Sequence, residues 1–354
     1  MMQNEQTWVL YGAYGYTGTL IARRARQLGL RPILAGRDPD RLAQLATELA
    51  LPSVVCDLDD PRGLRTLLEG AQLVLNCAGP FEHTYKSMID ACLATGTHYL
   101  DITGEIPVFE RIAARDADAM AARIMLLPGV GFDIVPSDYL SCYLKTRLPS
   151  AQRLVIALKG LAEVSPGTAV TALEYIGRNG KVRRNGSLVE VPLGWKSRSF
   201  DFGSGMEPAV IVPWGDVATA YYTTGIGNIE VYAAVPAAVR RAMALLRFGG
   251  RLLRRTWIRS LLTAVVRRSV KGPSEKQRAD GFAVLYGEAR GAGDLGASAL
   301  LRCPDAYTLT AHVSLNIVSG VLGGRTKPGF QTPFRVFGGD ILLDIPGVEI
   351  EDLE

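Results

Sequence analysis

The sequence lacks several features that would assign it to a common functional class. Its three histidines and five cysteines are dispersed and have no metal-ligand spacing, so no metal site is expected. The cysteines are also odd in number, which is typical of reduced, buried thiols in a cytoplasmic protein. The formal net charge is only +4, which implies no general affinity for nucleic acid.

Other absences narrow the reaction class. The chain has no Gly-x-Ser-x-Gly nucleophile elbow, and residues 130–160 hold no Tyr-x-x-x-Lys pair of the short-chain reductase type. No run of about 18 uncharged apolar residues is present, so no membrane span is expected. Only a few polar residues precede the first apolar run, which predicts no secretory signal peptide. What remains is a chain of 354 residues, 48% of them apolar, with room for two globular domains.

A glycine-rich turn near the start of the chain is the most informative feature. An apolar run, Trp8–Leu10, is followed by three glycines at three-residue spacing and then by a helical pattern. Gly12 permits a tight turn, Gly15 lets the backbone approach phosphates, and Gly18 lets the helix pack closely on the strand. The first N–H groups of such a helix face an anion. The residues predicted to bind a dinucleotide here are Gly12, Tyr14, Gly15, Tyr16, Thr17 and Gly18.

The end of the second apolar run, Pro32–Ala35, indicates which dinucleotide is bound. Arg37 lies 19 residues after Gly18, where the second strand of a βαβ unit ends beside the adenosine ribose. An acidic residue there would bind the 2′-hydroxyl of NAD, whereas an arginine offers a cation to a 2′-phosphate and a flat group to the adenine. The sequence therefore predicts NADP(H), with a solvated loop cation as the alternative interpretation of Arg37.

Short apolar runs and helical patterns alternate over the first third of the chain. This alternation favours the α/β class, with a Rossmann-type doubly wound parallel sheet. Residues 1–130 are therefore predicted to form an NADP-binding domain. Residues 131–324 are predicted to form a second, α+β domain for substrate binding or dimerisation, in which residues 307–312 are expected as a strand.

Ligands of such sheets bind at the carboxyl ends of the strands. The fourth strand ends in a glycine–proline turn, and its residues are predicted to line the cofactor path: Cys77, Ala78, Gly79 and Pro80. The thiol of Cys77 is interpreted as a small buried apolar group rather than a nucleophile. After the fifth strand, Asp101 and Glu105 either touch the nicotinamide side or cap the next helix.

Reduction of a carbonyl or enoyl group benefits from a proton donor, because the carbanion or alkoxide must be protonated. The candidate donors are Asp133, Asp138, Tyr175 and Asp216. Asp133 and Asp138 lie in the glycine–proline turn after the sixth strand, where capping of the turn is the alternative role. The sequence leaves the choice of donor open.

Residues 239–278 hold twelve Lys and Arg but one Glu, interleaved with leucine, valine and tryptophan. Helical spacing would give one apolar and one cationic face. One interpretation is a pair of surface helices that pack on the domain. The other is peripheral contact with anionic lipid, or docking of an acidic carrier protein.

Several of these motifs occur together and in order, and with them the chain resembles the saccharopine dehydrogenase-like oxidoreductases. The second half is similar to the branch of that family that includes trans-acting enoyl reductases. The motifs that carry the resemblance are Gly12–Gly18, Ala35–Arg37, Asn76–Phe81, Tyr99–Glu105, Gly131–Asp138, Ser165–Thr168, Pro213–Asp216, Thr224–Asn228 and Thr332–Pro333.

The resemblance implies an NADP-binding Rossmann domain against which residues 325–354 pack, and an inserted second domain that often carries a homodimer contact. Saccharopine-forming enzymes have paired glycines where this chain has Gly12 and Ala13, and the second domain shows no arginine cluster for a polycarboxylate. We therefore expect NADP(H)-dependent reduction of an enoyl or keto group in a hydrophobic, lipid- or polyketide-like substrate, free or carrier-bound. The alternatives are a catalytically silent NADP-binding membrane adaptor and a saccharopine-type amino-acid dehydrogenase.

Overall fold

The computed structural model describes residues 7–160, 164–175, 179–192, 194–237, 240–241 and 256–353. The chain divides into two compact units, each made of two segments. Unit 1 comprises residues 1–135 and 307–341, and unit 2 comprises residues 136–306 and 342–354.

Unit 1 is built on a seven-stranded sheet in which every pair of neighbouring strands is parallel. The strands are β1 (Trp8–Tyr11), β2 (Ile33–Gly36), β3 (Ser53–Val55), β4 (Leu73–Asn76), β5 (His98–Asp101), β6 (Met125–Leu127) and β15 (Gly329–Phe330). The strand order is β15-β6-β5-β4-β1-β2-β3, so the confirmed doubly wound pattern reverses direction between β1 and β4. The helices are α1 (Tyr16–Gln27), α2 (Pro39–Leu49), α3 (Pro61–Leu68), α4 (Phe81–Thr95), α5 (Ile106–Ala113), α6 (Asp116–Ala122), α12 (Ala306–Leu322) and α13 (Pro333–Phe337).

The central strands of this sheet are apolar because both of their faces are covered. All four residues of β1 are buried, and so are all four of β4. The outer strand β3 differs, since its three residues are exposed. The buried strands fix the carboxyl edge of the sheet at which the glycine turn lies.

One local expectation for the residues of unit 1 was wrong. Residues 307–312, expected as a strand, belong to the 17-residue helix α12, ten of whose side chains are buried. A helix that is apolar on most of its surface has no clear 3.6-residue period, so its short segments look like buried strand.

Unit 2 contains a mixed sheet, which confirms the α+β expectation. Its main strand order is β10-β11-β12-β7-β13-β14-β16, and β8 pairs with β12 and β9. The pairing of β7 with β12 is parallel, whereas the other pairings are antiparallel. The strands are β7 (Arg153–Lys159), β8 (Gly180–Arg184), β9 (Ser187–Val191), β10 (Ser197–Asp201), β11 (Met206–Ile211), β12 (Asn228–Ala234), β13 (Phe282–Arg290), β14 (Gly296–Pro304) and β16 (Glu349–Leu353). The helices are α7 (Val135–Arg147), α8 (Pro166–Tyr175), α9 (Asp216–Thr224), α10 (Thr256–Ser269), α11 (Glu275–Asp280) and α14 (Asp340–Leu343), the last at the third passage of the chain between units.

The unit boundaries differ from the expected division into residues 1–130 and 131–324. The chain re-enters unit 1 at Tyr307 rather than at residue 325. Moreover, β16 pairs with β14 in the sheet of unit 2, so residues 325–354 do not all pack against the first domain. The last strand can make this pairing because β14 would otherwise leave its backbone N–H and C=O groups unpaired at the sheet edge.

The two faces of the second sheet are packed differently. On one face, Gly287 leaves room for α7, because a Cβ at this position would lie 2.6 Å from Leu144 and 2.8 Å from Leu140. On the other face, the ring of Phe200 lies 5.1 Å from the ring of Tyr232 and 5.2 Å from that of Tyr286. Both faces are therefore covered by apolar groups.

Two buried glutamates lie beside this aromatic cluster, each opposite Val155 of β7. Glu230 accepts hydrogen bonds from Tyr232 and Lys196 and pairs with Arg184. Glu288 accepts from Tyr286 at 3.0 Å and from both terminal nitrogens of Arg198. Burial alone would raise the pKa of Glu288, but the Arg198 guanidinium and the Tyr286 hydroxyl outweigh it, and the pKa lies below its usual value.

The basic segment 239–278 falls largely outside the described residues. Its described part includes α10, which lies against α8, and α11, which begins with a capping box at Ser274 and Gln277. No helix among the described residues has the length and apolarity required to cross a membrane. Within the same residues, no group of three or more His, Cys, Asp or Glu side chains is placed to hold a metal ion.

The Glu288 ion pair gives a prediction for stability. Glu288→Gln will lower the free energy of unfolding at neutral pH by about 1–3 kcal/mol, because it removes a charge-assisted bidentate pair. The folded-state pKa of Glu288 is lowered, so this contribution is present above the unfolded pKa and disappears as the pH falls through the folded value. Urea denaturation at several pH values measures the difference. The matched control is Glu349→Gln on the exposed strand β16, and equal effects of the two changes would contradict the prediction.

Candidate functional site

The glycine turn after β1 approaches the neighbouring backbone so closely that side chains are excluded. Gly12 has a φ of +74°, and a Cβ there would lie 2.8 Å from the backbone nitrogen of Ala78. A Cβ at Gly18 would lie 2.3 Å from the carbonyl oxygen of Gly12. The Gly12 N–H donates to the carbonyl of Ala35 at 2.8 Å, which ties the turn to β2. The turn is therefore a backbone cradle of the kind that a pyrophosphate needs.

Helix α1 begins directly behind this cradle. Gly15 is its N-cap residue and has no side chain to satisfy the first N–H groups, and the first turn of the helix contains no acidic residue. These groups and the positive end of the helix dipole favour an anion. The predicted positions Tyr16 and Thr17 form the first turn of α1.

At the end of β2, Arg37 is exposed and makes no hydrogen bond or ion pair with any residue that the structure describes. Its acidic neighbour, Asp38, is engaged elsewhere, because its carboxylate accepts from the N–H of Arg41 at 3.1 Å and caps α2. The position that selects between NAD and NADP is thus occupied by a cation.

The turn after β4 is held by side chains from its own neighbourhood. Asn76 accepts from the N–H of Ala78 at 3.0 Å, and Thr84 donates to the carbonyl of Ala78 at 2.8 Å. The Gly79–Pro80 peptide bond is cis. Burial raises the pKa of the Cys77 thiol well above its ordinary value, which keeps the group protonated and agrees with an apolar role.

Asp101 and Glu105 hold the loops at the strand ends. Asp101 accepts from the Tyr99 hydroxyl at 2.7 Å and from the N–H groups of Thr103 and Gly129 at 2.9 Å. Glu105 accepts from the N–H groups of Phe81 and Glu82 at 2.7 and 2.9 Å, at the start of α4. Burial raises the pKa of Asp101 to about 6 and that of Glu105 to about 7. Glu105 is the N-cap residue of α5, but its side chain makes no capping hydrogen bond there, so the expected cap of the next helix is wrong; its carboxylate binds the start of the preceding helix α4 instead.

Asp133 is a half-buried carboxyl in the loop after β6. Burial raises its pKa to about 7, so it exchanges a proton near neutral pH. It lies beside the loop after β5, since a Cβ at Gly104 would be 2.8 Å from its Oδ2. The preceding residue, Phe132, donates its N–H to Thr310 of α12 at 3.0 Å. Asp133 therefore lies at the strand-end edge of unit 1.

The other candidate donors lie in unit 2. Asp216, fully buried at the start of α9, accepts a hydrogen bond from Ser137 of α7. Asp138, also buried, accepts from Thr223 of α9. These two bonds connect α7 with α9. Tyr175 is the last residue of α8, and its side chain is outside the described part of the structure.

Sequence reasoning missed one aromatic residue at the glycine turn. The ring of Tyr307 packs edge-on against that of Tyr16, with 4.9 Å between the ring centroids. Tyr307 comes from α12, almost 300 residues away in the chain, and no local pattern connects it with the glycine motif. The neighbouring Thr310 reaches the loop after β6 in the same way.

Comparison with known proteins identifies the N-terminal part of the chain. Residues 8–127 match the family model described as the saccharopine dehydrogenase NADP binding domain. Unit 1 therefore binds NADP, as Arg37 predicts.

Curated relatives match part of the chain. A trans-acting enoyl reductase of Mycobacterium ulcerans is 35% identical over 146 residues, which are 38% of this chain and 34% of that protein. A probable mitochondrial saccharopine dehydrogenase-like oxidoreductase of Arabidopsis thaliana is 34% identical over 147 residues, 37% of this chain and 32% of the relative. The saccharopine dehydrogenase-like oxidoreductase of Mus musculus is 27% identical over 203 residues, 50% of this chain and 47% of the relative. The chain thus aligns with about a third to a half of the length of these proteins.

A solved structure is similar over the whole fold. Saccharopine dehydrogenase (L-Glu forming) of Saccharomyces cerevisiae superposes with a TM-score of 0.64 and covers 99% of this chain and 100% of its own. Its sequence identity to this chain is 10%, so the likeness concerns the fold alone.

The glycine cradle gives a prediction for cofactor binding. Gly18→Ala will weaken NADPH binding by about tenfold or more, because the added Cβ must displace the Gly12 carbonyl and the start of α1. Titration of protein fluorescence with NADPH measures the affinity, and circular dichroism shows whether the fold is kept.

The control for this change is Gly167→Ala in α8, where a Cβ would lie 3.7 Å from Ser165 and make an ordinary contact. If Gly18→Ala kept the fold and bound NADPH as tightly as this control, the pyrophosphate would not lie in the cradle.

Proposed function

We propose that this chain, which belongs to the saccharopine dehydrogenase-like oxidoreductases, uses NADPH to reduce the carbon–carbon double bond of a hydrophobic substrate. Three relatives named trans-acting enoyl reductase support this reaction, with 34% to 36% identity over 140 to 146 residues. Those alignments cover about a third of each relative, so the reaction is our inference. The observation that carries it is a carboxyl, Asp133, that titrates near neutral pH at the strand-end edge of the NADP-binding unit.

The residues at this edge fit the cofactor. The cradle of Gly12, Gly15 and Gly18 would hold the pyrophosphate, and Arg37 would hold the 2′-phosphate. When bound, NADPH supplies a hydride to the β carbon of an enoyl group, and the α carbon then takes up a proton, so the double bond becomes single. The chain itself must supply or relay that proton.

Asp133 is proposed as the proton donor. At neutral pH a carboxyl with a pKa of about 7 is protonated in a large fraction of molecules, as a general acid requires. Asp101 and Glu105 also have raised pKa values, but their oxygens accept backbone N–H groups that hold neighbouring loops. Asp138 and Asp216 form hydrogen bonds between α7 and α9.

We also propose that the substrate is hydrophobic and either free or presented by a carrier, in the cytoplasm. All five cysteines are free thiols, which suits a reducing compartment. Helix α10 shares the basic and apolar composition of residues 239–278, which would suit an acidic carrier or an anionic lipid surface. A homodimer remains a proposal that rests on the family resemblance.

The proposed reaction is tested with a trans-2-enoyl thioester that carries a medium-length alkyl chain. We expect NADPH to be oxidised in its presence and the saturated thioester to appear as the product in mass spectrometry. The saturated thioester itself serves as the control substrate. Oxidation of saccharopine with NADP⁺ instead would favour the amino-acid dehydrogenase, and tight NADPH binding without any turnover would favour the adaptor.

The proposed acid gives a pH-dependent prediction. Asp133→Asn will lower the turnover number by about 100-fold, because the donor is lost, and will leave NADPH affinity unchanged. In the unchanged protein the rate will fall as the pH rises through about 7, where Asp133 loses its proton, and the variant will lack this limb. Steady-state kinetics over a pH series measures both effects. The control is Glu69→Gln at the exposed end of α3, and a variant of Asp133 that kept its rate and pH profile would exclude the residue as the acid.

A further inference from the structure

We propose that Arg41 is a second cation for the 2′-phosphate of NADP and that the ring of Tyr14 holds it in place. Neither the glycine motif nor the end of β2 contains Arg41, which lies in the first turn of α2. The inference depends on NADP binding by unit 1 and is independent of the reaction that follows.

The guanidinium of Arg41 is anchored to the glycine turn itself. Its Nη2 donates to the carbonyl oxygen of Tyr14 at 2.9 Å, and its central carbon lies 4.8 Å from the centre of the Tyr14 ring. The carbonyl fixes one edge of the group and the ring fixes its plane. Arg41 therefore lies between the phosphate cradle and the end of β2, on the side where the ribose of a dinucleotide is bound.

Tyr14 is in turn fixed by β2 and by the chain that follows it. Its ring lies against Gly36, where a Cβ would be 2.4 Å from Cε1 of the ring. Its hydroxyl accepts the N–H of Asp38 at 3.2 Å. The absence of a side chain at Gly36 is thus what lets the ring lie over the strand end. Tyr14, predicted as a direct cofactor contact, is assigned a positioning role.

The remaining donors of Arg41 are available to a ligand. A guanidinium has five N–H donors, and the bond to Tyr14 uses one of them among the described residues. Arg41 is exposed and has no ion pair with any described residue, so binding a phosphate breaks no existing salt bridge. Arg37, likewise unpaired, is four residues earlier, and the two cations flank the turn into α2.

The acidic groups nearby do not cancel this charge. Asp38 is turned to the start of α2, where its carboxylate accepts the N–H of Arg41. Asp40 is exposed in the first turn of α2. Two cations with free donors, of which Arg41 is held in place, and a carboxylate engaged as a helix cap favour a dianionic phosphate over the neutral 2′-hydroxyl of NAD. Because NADH has no 2′-phosphate, removal of Arg41 would weaken its binding only slightly.

The test measures the dissociation constants of NADPH and NADH by titration calorimetry. We expect Arg41→Ala to raise the dissociation constant of NADPH about tenfold and to change that of NADH by less than about twofold. The control is Arg31→Ala, which removes an exposed arginine before β2, at the opposite edge of the sheet. Equal losses for both dinucleotides, or no loss for either, would overturn the assignment of Arg41 to the 2′-phosphate.

The role of Tyr14 is tested by a double-mutant cycle with Arg41. Tyr14→Leu removes the ring and the hydroxyl but keeps the backbone carbonyl. We expect it to weaken the binding of NADPH more than the binding of NADH. Because the ring acts through the guanidinium, the double change Tyr14→Leu with Arg41→Ala should be no worse than Arg41→Ala alone. Fully additive losses would show that Tyr14 does not act through Arg41. Thermal unfolding of each variant confirms that unit 1 is folded, and Tyr14→Phe, which keeps the ring, should bind NADPH nearly as the unchanged protein does.

Discussion

The close approach of helix α1 to the turn that precedes it is the constraint on which unit 1 depends. Gly18 lies against the carbonyl of Gly12, and Gly12 in its positive-φ conformation lies against the backbone of Ala78. Three elements, β1, α1 and β4, thus meet without an intervening side chain. A Cβ at either glycine would push the start of α1 away from the cradle, and the anion-binding N–H groups would move with it. The contacts of Tyr14 with β2 also depend on this turn, because Tyr14 is part of it.

Buried carboxylates have a second and different role at the same edge. Glu105 accepts two N–H groups at the start of α4, and Asp101 accepts N–H groups from the loops after β5 and β6. Burial disfavours their ionised form, whereas the hydrogen bonds from the backbone favour it. The raised pKa values show that the effect of burial prevails. Holding these carboxyl groups buried at the strand ends therefore costs part of the stability that their hydrogen bonds give the loops.

The sequence predicted the parallel sheet of unit 1 well because each strand, turn and helix is encoded over about 30 neighbouring residues. The prediction failed where contacts between distant parts of the chain determine the structure. Nothing near Tyr307 indicates that its ring meets Tyr16, and nothing near β16 indicates that it completes the second sheet rather than packing on the first. The cradle and Arg37 could be predicted from the sequence because both follow from spacing along the chain. Arg41 was not, because its role depends on which way the Tyr14 ring turns.

The four proposed donors show why residue type alone could not identify an acid. Asp138 and Asp216 are both buried, yet each accepts a hydrogen bond from a hydroxyl of a facing helix, Thr223 or Ser137. Such a bond ties the carboxylate to the packing of α7 on α9. Asp133 follows a strand end in a loop against Gly104, where burial raises its pKa to about 7. The difference lies in what surrounds each carboxyl, and a proton donor needs surroundings that leave the proton exchangeable at the pH of the reaction.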